Sequence, residues 1–345
     1  MLSAKVINKQ NLLHNFDLCK KITNKNIMAM VKADAYGHGL FDIVSILVKK
    51  CKWFGVATVD EAICVKKIVK QNANVLVVTK SENFDLLIKN EIHITIDSFD
   101  ELSKIEKICN YMNKLAYVHL AINTGMNRIG LSDINEFVDI CKRISVSKNI
   151  KLCGVFTHMF DADIKYGNYD KQLKKLKDYK KVALKGVPFH IGGTFCLNHR
   201  IPDFVGIVRV GFGLYGYGLK NSKIVMSVWG RITKITDCKA GQNLGYGSNI
   251  LKKDTRVATV SLGYFDGIPR RISNKGYVFI GGVRCKVLGK VCMDCLFVDI
   301  SKTNAKIMDK VDILLDATQI AKWANTSPYE ILTNFSKIRA KNMII

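Results

Sequence analysis

The chain has 345 residues, enough for one large domain with a smaller companion or for two medium ones, and 48% of it is hydrophobic, so core material is ample. A net charge of +24 raises nucleic acid as a partner, but the excess is lysine spread along segments such as 171–185 without an aromatic platform, the pattern of solvated helix faces. Eleven cysteines scattered through apolar runs fit reduced, buried thiols better than a disulfide framework.

Along the chain, apolar runs rich in β-branched residues alternate with segments of helical period. Strands are predicted over 27–33, 53–59, 75–79, 92–96, 117–123, 152–158, 189–192 and 207–211, and helices over 40–50, 60–70, 84–90, 99–112, 134–144 and 169–184. Asp60 before Glu61, and Ser98 with Glu101 three residues on, are predicted N-caps. Eight strands alternating with helices over about 210 residues is the count a (β/α)8 TIM-type barrel needs; a doubly wound sheet is the runner-up, because sequence does not show closure. After residue 219 strand-like runs follow one another, at 225–236, 243–250, 256–264, 277–291, 296–300 and 311–315, ahead of a helical tail at 318–325 and 328–336. The expected architecture is therefore α/β: a barrel over 1–219, whose first few residues can pair with the second domain, and a mostly antiparallel β domain over 220–345. The apolar stretches are far too short to cross a bilayer, and the first ten residues lack the apolar core of a secretory signal, so a cytoplasmic chain without a membrane partner is expected.

A barrel of this kind carries its site at the C-terminal ends of its strands. Lys32 ends the first predicted strand in Met28-Ala-Met-Val-Lys-Ala-Asp-Ala-Tyr-Gly-His-Gly, where burial would lower its pKa and make the amine a nucleophile. Arg128 follows the fifth strand, His158 ends the sixth, Thr194 follows the seventh and Arg209 lies in the eighth. Taken singly, each has a plainer reading: a surface lysine, a satisfied core histidine, half of an ion pair. Gly211-Phe-Gly-Leu-Tyr-Gly spells a dinucleotide fingerprint, but no helix pattern follows it. Phosphate capture by backbone N–H groups after strands seven and eight, aided by the Thr194 hydroxyl, suits it better. In the second domain, Tyr264 stands beside glycines at a strand end, where a phenol can donate or accept a proton. Cys292-Met-Asp-Cys295 spells CxxC without a second pair at finger spacing, and no metal is expected.

These strings, in this order, resemble the bacterial alanine racemase family from near residue 3 to near residue 336. The matching segments are Val31-Lys-Ala-Asp-Ala-Tyr-Gly-His-Gly, Asn123-Thr-Gly-Met-Asn-Arg-Ile-Gly, Val208-Arg-Val-Gly with Leu214-Tyr-Gly, Leu244-Gly-Tyr-Gly, Leu262-Gly-Tyr-Phe-Asp-Gly and Val291-Cys-Met-Asp. The resemblance implies racemisation of L-alanine to D-alanine with pyridoxal 5'-phosphate (PLP). Lys32 would bind the cofactor covalently and act as one of two bases, the other being Tyr264 of the partner subunit in a homodimer with shared active sites. His158 would support that phenol and Arg209 would meet the pyridine nitrogen. Tyr36, Thr194, Gly211 and Phe212 would hold the phosphate, and Arg128 with the Met293 backbone would face the substrate carboxylate. The D-amino acid would serve as a peptidoglycan precursor.

Three departures stand out. Ala121 occupies a position where many members carry a lysine that helps to place the arginine. The usual Asn-Ser of the seventh-strand loop is Gly193-Thr194, which keeps a hydroxyl. The C-terminal Arg-Val-Pro segment is reduced to Ile338-Arg-Ala-Lys341, and Lys337 or a neighbour stands where a gating tyrosine is usual. A racemase of serine or of a broader range of amino acids on the same scaffold is one alternative. From a different class, a non-catalytic protein binding anions or nucleic acid through its basic surface is another.

Overall fold

The computed structural model describes residues 1–164, 167–340 and 342–345, so Lys341 of the departing C-terminal segment lies outside the described residues. The chain divides into two compact units, one of residues 13–35 and 40–223, the other of residues 1–12, 36–39 and 224–345.

The first unit is a closed barrel of eight parallel strands: β2 (Asn26–Met30), β3 (Trp53–Val56), β4 (Asn74–Val77), β5 (His93–Ile96), β6 (Ala116–Ala121), β7 (Ile150–His158), β8 (Phe189–Gly192) and β9 (Val205–Val210). Closure, undecidable from sequence, comes from parallel pairing of β2 with β9, Asn26 opposite Ile207 through Ala29 opposite Val210. Helices α3 (Leu40–Leu47), α4 (Val59–Val69), α5 (Phe84–Lys89), α6 (Phe99–Met112), α7 (Ile134–Val146) and α8 (Tyr169–Val182) alternate with the strands. Their buried apolar stripes, such as Phe137, Ile140, Cys141 and Ile144 on α7, form the outer core. The Ser98 cap stands, accepting from the Glu101 N–H at 3.3 Å. Asp60 is not a cap: α4 begins at Val59 and its cap is Thr58, two residues before Asp60, in a capping box with Glu61.

In the second unit the strand order is β11-β14-β13-β12-β15-β10-β1-β16. It is built from β1 (Ser3–Ile7), β10 (Met226–Cys238), β11 (Thr255–Ser261), β12 (Tyr277–Ile280), β13 (Val283–Leu288), β14 (Cys295–Asp299), β15 (Lys310–Leu314) and β16 (Asn342–Ile344). All pairings are antiparallel except β1 with β16. Strand β10 is 13 residues long and shifts register between Ile232 and Lys234, so its first part pairs with β1 and β15 and its second with β11. The run expected over 277–291 is a hairpin, broken at Gly281-Gly282 with φ of +56° and +81°, the conformation of a two-residue primed turn. The strand expected over 243–250 is absent. Asn243 closes a loop there, accepting from the Asn249 N–H at 2.8 Å and donating to the Gly245 carbonyl at 2.8 Å, and only one bridge, Asn243 to Ile250, remains. Helices α9 (Ala317–Ala324) and α10 (Pro328–Asn334) form the tail. No helix among the described residues is long and apolar enough to cross a membrane.

Candidate active site

Strand β2 stops at Met30, three residues short of the expected end, because residues 33–36 turn to φ between +53° and +55°. Lys32–Tyr36 (α2) is thus one left-handed helical turn in residues with Cβ atoms, a conformation that costs roughly 1–2 kcal/mol per residue. Glu61 holds it open: its carboxylate accepts from the N–H groups of Ala33 at 2.6 Å, Ala57 at 2.8 Å and Thr58 at 3.2 Å. The consequence is that Lys32 leaves the sheet at the C-terminal rim. Partial burial lowers the pKa of its amine, helped by the positive charges of Arg128 and Arg209 and opposed by Glu61.

The same rim collects the other barrel residues singled out in the sequence. His158 is the last residue of β7; burial, then Arg209, Arg128 and Lys32, push its pKa down to about 3, so the ring is neutral. Arg209, one residue from the end of β9, is 4% exposed and pairs with no carboxylate among the described residues. Its guanidinium donates to the Thr157 carbonyl at 2.7 Å and to His190 Nδ1 at 2.8 Å, and lies over the Phe156 ring at 4.6 Å. This seat exists because β8 ends in glycine: a Cβ on Gly192 would come within 2.4 Å of Arg209 Nη2.

Beyond β8 and β9 the chain turns twice into 3-10 helix, at Thr194–Asn198 and Phe212–Tyr215. Thr194 is buried and its hydroxyl accepts from the Gly213 N–H at 2.9 Å, tying the two turns together. Gly211 precedes the second turn, and Phe212 is buried there against Tyr217, ring centroids 4.8 Å apart. The first N–H groups of such turns lie outside the turn's own bonds and are suited to an anion.

Arg128 is exposed, in the loop after β6. With a buried Ala121 methyl in the same small cleft, its loop is positioned instead by Asn123, whose side-chain oxygen accepts from the Gly125 and Asn127 N–H groups at 3.0 Å each. Asp97 adds a second tether by accepting from the Gly130 N–H at 2.7 Å.

The other three expected residues belong to the second unit. Tyr36 opens its segment 36–39; burial raises its phenol pKa, with Tyr329 adding to the shift, and the two rings are 6.1 Å apart. Lys5, 2% exposed, holds this segment by donating to the Gly37 carbonyl at 2.7 Å and the Phe335 carbonyl at 3.3 Å. Tyr264, 42% exposed, starts a 3-10 turn whose N–H groups run to the neighbouring loop: Tyr264 to the Cys292 carbonyl at 2.9 Å and Phe265 to that of Met293 at 3.2 Å. The structure thus brings Tyr264 and Met293 side by side. Lys337, at the expected gate position, lines the same cleft as Tyr264.

Arg339, dismissed in the sequence as part of a degenerate segment, locks this pair of loops. It donates to Asp266 through Nε at 2.9 Å and Nη2 at 2.7 Å, and to Asp294 through Nη1 at 2.8 Å. Asp266 is fully buried and also accepts from the Gly263 N–H at 3.0 Å. Burial pushes its carboxyl up, but Arg339 and the Gly263 N–H outweigh that and hold it below the usual value. The signal available in sequence was the aspartate of Tyr-Phe-Asp-Gly, which needs a cation. Asn123 and Lys5 carried none, and the capping-box spacing of Thr58 and Glu61 did not point to the Lys32 turn.

The chain matches the alanine racemase N-terminal domain over residues 7–218 and the alanine racemase C-terminal domain over residues 225–343. It belongs to the alanine racemase family. It is 34% identical to the alanine racemase of Borreliella burgdorferi (strain ZS7) over 98% of this chain and 96% of that one. Identity to the Helicobacter pylori (strain Shi470) alanine racemase is 32%, over 96% of each chain. The Clostridium difficile 630 alanine racemase structure superposes with a TM-score of 0.90 at 29% identity, covering all of this chain and 96% of that one. The Bartonella henselae alanine racemase, solved with covalently bound pyridoxal phosphate, shares the fold at a TM-score of 0.90 and 24% identity, each chain covered in full. Alanine racemases are PLP enzymes, and the residues present fit that group: an amine for its aldehyde, a buried guanidinium deep in the barrel, and a hydroxyl with two turn N-termini for its phosphate.

Proposed function

We infer that the protein interconverts L-alanine and D-alanine with PLP, using Lys32 and Tyr264 of the partner subunit as opposed bases. The observation that carries this reading is the Lys32 amine, pushed toward its neutral form by burial and two arginines on a rim that also holds a neutral histidine. When bound, PLP supplies an electron sink for the pair left at the substrate Cα.

The protein's own residues do the rest. Lys32 Nζ would hold the cofactor and would take or return the Cα proton on one face. The phenol oxygen of the partner subunit's Tyr264 does the same on the other face, and His158, neutral, is a hydrogen-bond partner for that phenol. Arg209 would present N–H donors to the ring nitrogen of a bound cofactor, and a guanidinium, which gives up its proton reluctantly, would leave that nitrogen unprotonated. Tyr36, Thr194, Gly211 and Phe212 hold the phosphate, and Arg128 with the Met293 backbone receives the carboxylate. Tyr264 is 42% exposed, which supports its use by a second copy in a homodimer with shared sites. A cytoplasmic enzyme supplying D-alanine for peptidoglycan fits the family's usual role.

The test is D-product formation from a panel of L-amino acids with PLP supplied. Alanine is expected to be preferred over serine and larger substrates. Lys32→Ala should lose the absorbance of the lysine-bound cofactor and at least about a thousandfold in kcat. A wild-type protein that never acquires that absorbance, or that racemises nothing while binding nucleic acid in a salt-sensitive manner, would overturn the reading.

A further inference from the structure

Three of the chain's seven histidines stand in a single file through the barrel. His190, second residue of β8, meets Arg209 Nη1 with Nδ1 at 2.8 Å. Its Nε2 meets His119 Nδ1 at 2.9 Å, and His119 Nε2 meets His93 Nδ1 at 3.0 Å. His190 and His119 are 0% exposed and His93 is 5% exposed. The file runs from the catalytic rim to the first residue of β5, where His93 lines an open cavity at the opposite end of the strands.

Room for it is built into the backbone. A Cβ on Gly154, in the middle of β7, would come within 2.4 Å of His119 Nδ1 and 3.0 Å of His190 Nε2, so only glycine admits the central link. Aromatic rings pack the sides: Phe156 stacks on His190 at 4.8 Å, Trp53 meets His93 and His119 edge-on at 4.9 and 5.5 Å, and Tyr117 stacks on His93 at 5.0 Å.

The file has one permitted hydrogen pattern. A guanidinium has donors only, so His190 Nδ1 must be a lone pair. The neutral ring then carries its hydrogen on Nε2, which makes His119 Nδ1 an acceptor and His119 Nε2 a donor. The same step makes His93 Nδ1 an acceptor and leaves its Nε2–H toward the cavity. A proton added anywhere would place two donors face to face at the next link, and finally against Arg209. All three lone pairs face Arg209, so the three imidazole dipoles stabilise a buried cation that lacks a carboxylate.

We propose that His190, His119 and His93 are positioning residues for Arg209, a chain of neutral Nε2–H imidazoles that keeps its guanidinium charged and aimed at the cofactor ring. The proposal rests on the placing of Arg209 at that ring. Burial supports it by lowering the pKa of His93 to about 3 and those of His119 and His190 well below the usual value. The charged and titratable groups around His93 are Lys66 on α4, Glu91, Tyr117 on β6, Lys151 and Cys153 on β7, Lys185 and His119, in which cations outnumber anions and further disfavour an imidazolium.

The experiment is 15N–1H NMR of the imidazoles in histidine-labelled holoenzyme between pH 5 and 8, with signals assigned by single His→Gln variants. Three neutral rings with hydrogen on Nε2 at every pH are expected; an imidazolium or an Nδ1–H tautomer at any of the three would overturn the proposal. His93→Gln and His93→Leu then test the coupling. Glutamine offers a carbonyl to the His119 N–H and should leave His119 and His190 in the Nε2–H form. Leucine strands that donor while Arg209 still sets the direction from the other end, so His119 and His190 should keep Nε2–H and PLP binding to the apoenzyme should weaken several-fold. Unchanged PLP affinity in folded His93→Leu, or a shift of His119 or His190 to Nδ1–H, would refute the coupling. Racemase activity plays no part in either readout, so the chain and the catalytic reading can fail separately.

Discussion

Arg339→Ala tests whether the Tyr264 turn is held by the Asp266 clamp. The substitution removes two charge-assisted bonds, of 2.9 and 2.7 Å, from a carboxylate whose side chain is 0% exposed, and leaves it the backbone N–H groups of Gly263 at 3.0 Å and of residue 339 at 3.3 Å. Breaking a fully buried pair costs ~3–5 kcal/mol. Half of the Arg339 side chain is in solvent, so water can enter and screening reduces the loss to about 1–2 kcal/mol, or a Tm lower by roughly 2–6 °C. The pH dependence carries a sign. Asp266 has its folded pKa held below the unfolded value of ~3.9, so its stabilisation is complete above that value and is lost as pH falls through the folded pKa. Thermal melts of wild type and variant between pH 3 and 8 should therefore differ most above pH ~5 and converge in acid. Because the same guanidinium also binds Asp294 beside Met293, kcat should fall with the loosened phenol while cofactor absorbance stays intact. A variant with wild-type Tm and kcat, or a Tm deficit equally large at the acid end, refutes the clamp.

Gly192→Ala places a methyl 2.4 Å from Arg209 Nη2 and should displace the guanidinium, weakening PLP retention about tenfold or more as measured by equilibrium titration of the apoenzyme. Lys5→Met leaves the Gly37 and Phe335 carbonyls without this donor; a loss of roughly 1–3 kcal/mol is expected in denaturant unfolding, with KM for PLP raised through the Tyr36 segment. His158 has its folded pKa lowered to about 3 against an unfolded value of ~6.5. The unfolded chain thus binds the extra proton between those values, and stability rises with pH across that window. His158→Gln should flatten the rise in apoenzyme melts between pH 4 and 6.5; an unchanged slope in the variant contradicts the neutral-ring assignment.

The alternation of apolar runs with helix-period segments was enough to place all eight barrel strands, because buried parallel strands read as nearly continuous apolar runs. Ser98 was legible as a cap since its partner Glu101 is local. Lys32, His158, Thr194 and Arg209 were legible as rim residues from strand ends alone. The left-handed turn at Lys32–Tyr36 was not, because nothing in Lys-Ala-Asp-Ala-Tyr calls for positive φ; the distant Glu61 carboxylate stabilises it. Nor was Arg339, whose partner Asp266 is 73 residues away.

Local order determined most of the elements and their sequence, since periodicity, caps and motif spacing act over a few residues; the end of β2 at Met30 and the loop at 243–250 depend on side-chain contacts that periodicity does not show. Only the closed barrel decided that Arg209 sits on neutral histidines, because β5, β6, β8 and β9 bring His93, His119, His190 and Arg209 together from across more than a hundred residues. A hydrogen bond needs its partners within about 3 Å, and only tertiary packing sets that distance between residues far apart in the chain.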